Sequence, residues 1–265
     1  MSPPAVPTAA SRTAAAAPPA TVNVSWWARV ATFVRLFAVQ GAWNYEILMG
    51  NGISFCLAPL LRALPPERRK AALARHSTYF NAHPYLASIA VGALARAELD
   101  GEDPAKIERF RTALCGPLGS VGDQLVWAGW LPACSIVALG AFGLGASPLV
   151  TVCIFLGAYN VGHIALRAWG LQAGLARGMR VAPVLATPVL RQGPPTIAKV
   201  AAFLAGIALP LALHRAIGPG RVLAGGVVVA AIAGALVLAR VHGRAQGWRI
   251  ALGVLAAFVL YSVVR

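Results

Sequence analysis

Acidic residues are scarce in this chain. Eight aspartates and glutamates stand against 23 lysines and arginines in 265 residues, and none lies beyond Asp123. Charged residues of both signs make up only 12% of the sequence, about half the share of an ordinary soluble domain. Too little charge remains to cover a soluble surface of this size. Cysteine is almost as sparse. Cys56, Cys115, Cys134 and Cys153 stand singly in apolar surroundings with no CxxC or Cys/His spacing, so they are read as buried free thiols. The five histidines form no HExxH pattern, which leaves no basis for a zinc site. No cofactor is expected.

What the chain has in abundance is hydrocarbon. Apolar residues account for 58% of it, and runs such as 197–213, 222–239 and 248–264 carry almost no charge. Each is within reach of the roughly 17–25 residues that cross a bilayer, which predicts a polytopic membrane protein. The net charge of +15 does not point to nucleic acid. Its arginines sit at the ends of apolar runs (Arg62, Arg68 and Arg69; Arg177, Arg180 and Arg191; Arg240, Arg244 and Arg249). Flanking cations fix orientation and hold anionic headgroups, whereas a nucleic-acid binder gathers them on one soluble face.

Residues 1–24 are rich in Ala, Pro, Ser and Thr, cannot build a core and are expected to form a disordered tail. From Ser25, Trp26, Trp27, Val30, Phe33, Val34 and Phe37 recur at helical spacing around Arg29 and Arg35, which predicts an amphipathic helix in the headgroup layer. Glycines and Pro59 then interrupt "QGAWNYEILMGNGISFCLAPLL". A basic helix is predicted from about Pro66. After it, "FNAHPYLAS" places His83 before Pro84, which steers His83 away from helical dihedrals and can itself open a helix through about Ala97. That segment is short enough to be re-entrant. A third break is predicted at Gly116–Asp123 in "CGPLGSVGDQLVWAGWLP", a span from Pro148 to about Leu166, and a loop over "RAWGLQAGLARGMR". The fold class is thus all-α, a polytopic membrane protein with broken or re-entrant helices and an amphipathic N-terminal helix.

Among the acids, Glu67, Glu98, Asp100, Glu102, Asp103 and Glu108 are assigned to polar connections, while Glu46 and Asp123 lie inside apolar sequence. An ionised group at membrane depth costs at least ~2.5–3.5 kcal/mol, so these two either serve a site or cap and pair structurally. Broken backbone is tolerated at that depth only in protein or beside a wet cavity, and transporters aim such breaks at their substrate. The candidate site therefore comprises Asn44, Glu46, Asn81, His83 and Asp123, a donor and acceptor set suited to a neutral sugar. Trp43, Tyr45, Tyr85 and Trp127 either stack on a sugar ring or serve as core and interface anchors. "GPLGSVGD" lacks the Lys-Ser/Thr of a P-loop, and no hydrolase arrangement is present.

Three ordered blocks carry a family likeness: Gln40 to Glu46, Arg75-His76 with Phe80 to Tyr85, and Gly116 to Asp123. They resemble the signature blocks of the IID membrane subunit in the mannose/fructose/sorbose family of the bacterial phosphoenolpyruvate-dependent sugar phosphotransferase system. The resemblance implies a membrane domain over 25–265 in the bacterial inner membrane. It also implies an oligomeric complex with a IIC subunit, served by soluble IIB and IIA phosphocarriers, that takes up a mannose-type hexose. The phosphohistidines would belong to IIA and IIB, with none in this chain. The link "LHRAIGPGRVLAGG" is shorter than the family's. That departure motivates an alternative, a membrane-embedded regulatory subunit of a phosphotransfer relay that moves no sugar.

Overall fold

A computed structural model describes residues 22–217. Of the tail expected over 1–24, residues 1–21 lie outside the described residues, as do the apolar runs 222–239 and 248–264. Among the described residues, two compact units are present, one of residues 22–124 and 162–192, the other of 125–161 and 193–217.

The first unit opens with α1 (Trp26–Arg35). Ser25 caps it by accepting from the Ala28 amide at 3.2 Å, as serine does at helix starts. Its outer face is apolar and uncovered, with Trp26 69% and Trp27 78% exposed. Its inner face is tied to α2 (Gly50–Leu57). Thr32 donates to the Cys56 carbonyl at 3.1 Å, and Arg35 donates to that of Phe55 at 2.8 Å. The Gly50 and Gly52 of α2 are contact glycines: an added Cβ would meet the Thr78 carbonyl at 1.9 Å and the Val39 carbonyl at 1.7 Å.

Pro66 and Glu67 open α3 (Pro66–His76), where the missing proline N–H and the acidic first turn both suit a helix start. α4 (Ala87–Leu99) is short, as expected, but begins three residues after Pro84. It is buried on nearly every side, which explains its mostly apolar sequence. Gly101 at φ +73° ends it in a Schellman turn, with amide bonds from Gly101 to Glu98 and from Glu102 to Ala97. Asp103 then caps α5 (Pro104–Gly122) by accepting from the Lys106 amide.

Two expectations are corrected here. Gly116–Asp123 is no break, because α5 runs through Pro117 and the irregularity falls just beyond, in a π-helical stretch Asp123–Trp130. The loop predicted over "RAWGLQAGLARGMR" is helix, since α7 (Pro148–Arg177) continues to Arg177 and stops at the left-handed Gly178. Its glycines are packing glycines. A Cβ on Gly174 would lie 2.3 Å from the Ile89 carbonyl, and one on Gly92 of α4 would lie 2.5 Å from the Leu171 carbonyl. Small residues on both helices let the two backbones touch, a common device within membranes.

In the second unit, α6 (Leu131–Gly143) crosses α9 (Pro188–Ile217) at Gly143, where a Cβ would lie 2.6 Å from that of Leu211. Arg215 donates to the carbonyls of Phe142 and Ala146. The short α8 (Ala182–Leu185) precedes α9 in the chain. Among the described residues, three helical stretches are long and apolar enough to cross a membrane: Pro104–Gly143, Pro148–Arg180 and Ala182–Ala216. On α7, Leu149, Val152, Leu156 and Val161 are exposed, as a lipid-facing surface requires.

Candidate functional site

The three sequence blocks converge within the first unit. Asn44 folds its own segment, its Oδ1 accepting from the amides of Glu46 and Ile47, both at 3.0 Å. This turn places Leu48 at φ +49°, which a side chain unbranched at Cβ tolerates better than a β-branched one. Leu48 then bridges Phe80. The Met49 amide donates to the Phe80 carbonyl at 3.0 Å, and the Phe80 amide donates to that of Ile47 at 3.1 Å. Arg111 of α5 holds the same segment by donating to the carbonyls of Thr78 at 2.6 Å and Tyr79 at 2.8 Å. The Asn44–Glu46 turn and Asn81 are thus carried by adjacent backbone.

His83 joins the third block. Its amide donates to the Leu118 carbonyl at 3.3 Å, and its Cβ lies 2.1 Å from where a Gly122 Cβ would stand. Only glycine leaves room for the imidazole there. The ring accepts from the Tyr85 amide at Nδ1, 3.2 Å away, and is 1% exposed. Burial, and after it the Arg167 charge, pull the His83 pKa from its ordinary 6.5 down to about 4, so the ring is neutral at physiological pH. Behind it Tyr85 stacks on His163 with centroids 5.1 Å apart. Arg167 lies 4.1 Å from the Tyr85 ring centroid and donates to His163 Nδ1 at 2.8 Å. His163 and Arg167 were not among the residues read as candidates, because His163 fell within the predicted span and Arg167 opened the segment read as loop. Their i, i+4 spacing is the signal that would have found them.

The remaining candidates lie at the surface. Asn44, Glu46, Asn81 and Asp123 are all exposed, and neither carboxylate forms an ion pair among the described residues. The apolar surroundings inferred for Glu46 and Asp123 are those of the sequence, not a burial inside this chain. Trp43 and Tyr45 meet edge to face at 4.8 Å and are themselves exposed.

The buried carboxylate is instead Glu98, placed by the sequence among polar connections and 5% exposed in α4. It accepts from Arg75 at 3.1 and 3.4 Å and from His76 Nε2 at 2.9 Å. Burial would raise the Glu98 pKa, but the bonds from His76 and Arg75 outweigh it and hold the group below its ordinary value. Burial lowers that of His76 despite Glu98, so a neutral imidazole donates to a charged carboxylate. Burial likewise pushes the Cys56 thiol up to about 12, which removes it as a nucleophile. Among the described residues, no group of three metal-ligating side chains occurs.

Long apolar helices and a short buried helix define an all-α membrane protein. The profile of the "PTS system mannose/fructose/sorbose family IID component" matches residues 28–209, and the chain belongs to that family. The mannose-specific EIID component of Escherichia coli K12 is 32% identical over 157 residues, covering 56% of this chain and 55% of the relative. The sorbose-specific EIID component of Klebsiella pneumoniae is 32% identical over 159 residues, covering 57% of each. For the fructose permease IID component of Bacillus subtilis the identity is 31% over 165 residues and the coverage 58% of each. The chain thus spans a little over half the length of the curated relatives it matches. A solved membrane-protein structure superposes with a TM-score of 0.62 at 26% identity, over 70% of each chain. The cryoEM structure of the mannose transporter ManYZ with microcin E492 superposes with a TM-score of 0.56, over 91% of this chain and 97% of that one. At 20% identity the latter likeness concerns the fold alone.

Proposed function

We infer that this chain is the IID subunit of a phosphotransferase-system permease and, with a IIC partner, forms the path by which a mannose-type hexose enters the cell through the inner membrane. The observation that carries the reading is Asp123. It stands inside the part of the helical stretch Pro104–Gly143 that is apolar from Thr112 onward, exposed and with no ion pair among the described residues. Facing lipid there would cost at least ~2.5–3.5 kcal/mol, so that face belongs against a partner subunit or a wet cavity. Asn44, Glu46 and Asn81 add donors and acceptors on adjoining segments, and together with Asp123 they replace part of the sugar's hydration, while buried His83 holds the Asn81 segment against α5. The IIC partner supplies the rest. Phosphorylated IIB, recharged by IIA, transfers its phosphoryl group to a sugar hydroxyl at the cytoplasmic mouth, and the charged product cannot return.

The relatives reported above are sugar-specific transport components, which leaves the regulatory reading without support. The test is sugar-dependent phosphorylation in membranes that contain this chain, its IIC partner and the soluble carriers. Phosphorylation should vanish without this chain. Asp123→Asn should lower it at least tenfold while the protein still inserts, and sugar phosphate formed equally well without the chain refutes the reading.

A further inference from the structure

α1 and the last turns of α7, both in the first unit, enclose a groove of about 260 Å³. Trp26, Val30 and Phe33 line one side, Leu171 and Leu175 the other, and Arg29 and Gln172 are the polar groups that line it. The walls are apolar and Arg29 is exposed, with no ion pair among the described residues. No carboxylate is near at hand in sequence, since the chain has no acid before Glu46 and none after Asp123. Both walls therefore come from segments that lack negative charge entirely.

Depth narrows the occupant further. α7 ends at Arg177, and Leu171 lies six residues, ~9 Å along the helix, before that end. An amphipathic interfacial helix settles ~5–10 Å into the boundary between headgroups and acyl chains. With α1 lying in the headgroup layer, as its amphipathic pattern predicts, the groove's apolar walls would face the start of an acyl chain and Arg29 the headgroup. Trp26, 69% exposed at its rim, is of the type that favours that boundary.

We propose that this groove is a seat for one anionic phospholipid, its acyl chain between α1 and α7 and its phosphate paired with Arg29. A zwitterionic lipid fits the walls equally but brings its own cation, so headgroup charge decides the preference.

The test uses the full chain in detergent, titrated with phosphatidylglycerol or phosphatidylcholine carrying brominated acyl chains, with tryptophan quenching as the readout. Phosphatidylglycerol should give a saturable component at lower concentration than phosphatidylcholine, and Trp26→Phe should remove it. Arg29→Gln should shift the phosphatidylglycerol midpoint up about fivefold, the expectation for one surface cation, and leave that of phosphatidylcholine in place. Ala168→Phe, which fills the groove from α7, should abolish the component while Arg29 is intact. Equal midpoints for the two lipids, or no shift in Arg29→Gln, overturn the proposal. So does a photocrosslinker at position 168 that in native membranes captures a protein helix in place of lipid.

Discussion

Glu98 illustrates how much rests on single side chains in this fold. Its carboxylate is hydrogen-bonded by Arg75 and His76 in a site closed to water. Removing one member of a buried pair costs about 3–5 kcal/mol. Because Arg75 retains some exposure, Glu98→Ala is expected near the low end of that range, measured by denaturation in detergent. Gly122→Ala acts by overlap: the new methyl would fall 2.1 Å from the His83 Cβ. A loss of about 1–3 kcal/mol is expected, together with loosening of the Asn81–His83 segment visible as faster hydrogen exchange. His83 also sets a pH response. Its folded pKa of about 4 lies below the ordinary 6.5, so between those values the unfolded chain binds more protons than the folded one. Its contribution is complete above pH 6.5 and declines as pH falls towards 4. Thermal stability should follow that slope in the parent, and the slope should be shallower in His83→Asn.

At the scale of elements, the sequence was most legible where one signal acted alone. The Trp26–Phe37 stripe gave α1, and Pro66 gave the start of α3. Glycine misled because its two uses look alike in sequence. "GLQAGLARG" reads as a flexible link, yet Gly170 and Gly174 are bare so that α4 can lie against α7. Proline misled in a second way, because Pro117 is absorbed within α5 and the irregular turns follow it. The candidate site was legible as three blocks, since its polar residues stand out against apolar sequence. Glu98 was not, because the 13-residue α4 has no polar face against which an inward carboxylate would show. Gly174→Leu should therefore disrupt the α4–α7 pair, lowering the yield of folded protein, whereas Gly116→Leu, where an added Cβ meets nothing within 4 Å, should leave that yield unchanged.

For the whole molecule, the membrane explains why so much apolar surface remains uncovered. Leu156 is 49% exposed on a stretch long enough to span, and Leu156→Arg should raise the insertion cost by ~3 kcal/mol or more, measured with a glycosylation-mapped insertion reporter. The same arginine in place of Trp27, on interfacial α1, should cost far less, because its head can reach water. The crossing of α4 and α7 has a consequence for divergence. Main chain meets main chain there, so its spacing is independent of rotamers and of most neighbouring residue identities. A homologue that has replaced two of every three residues can keep the same helix pair as long as hydrogen alone occupies those few positions, and drift elsewhere in the sequence leaves the scaffold's dimensions unchanged.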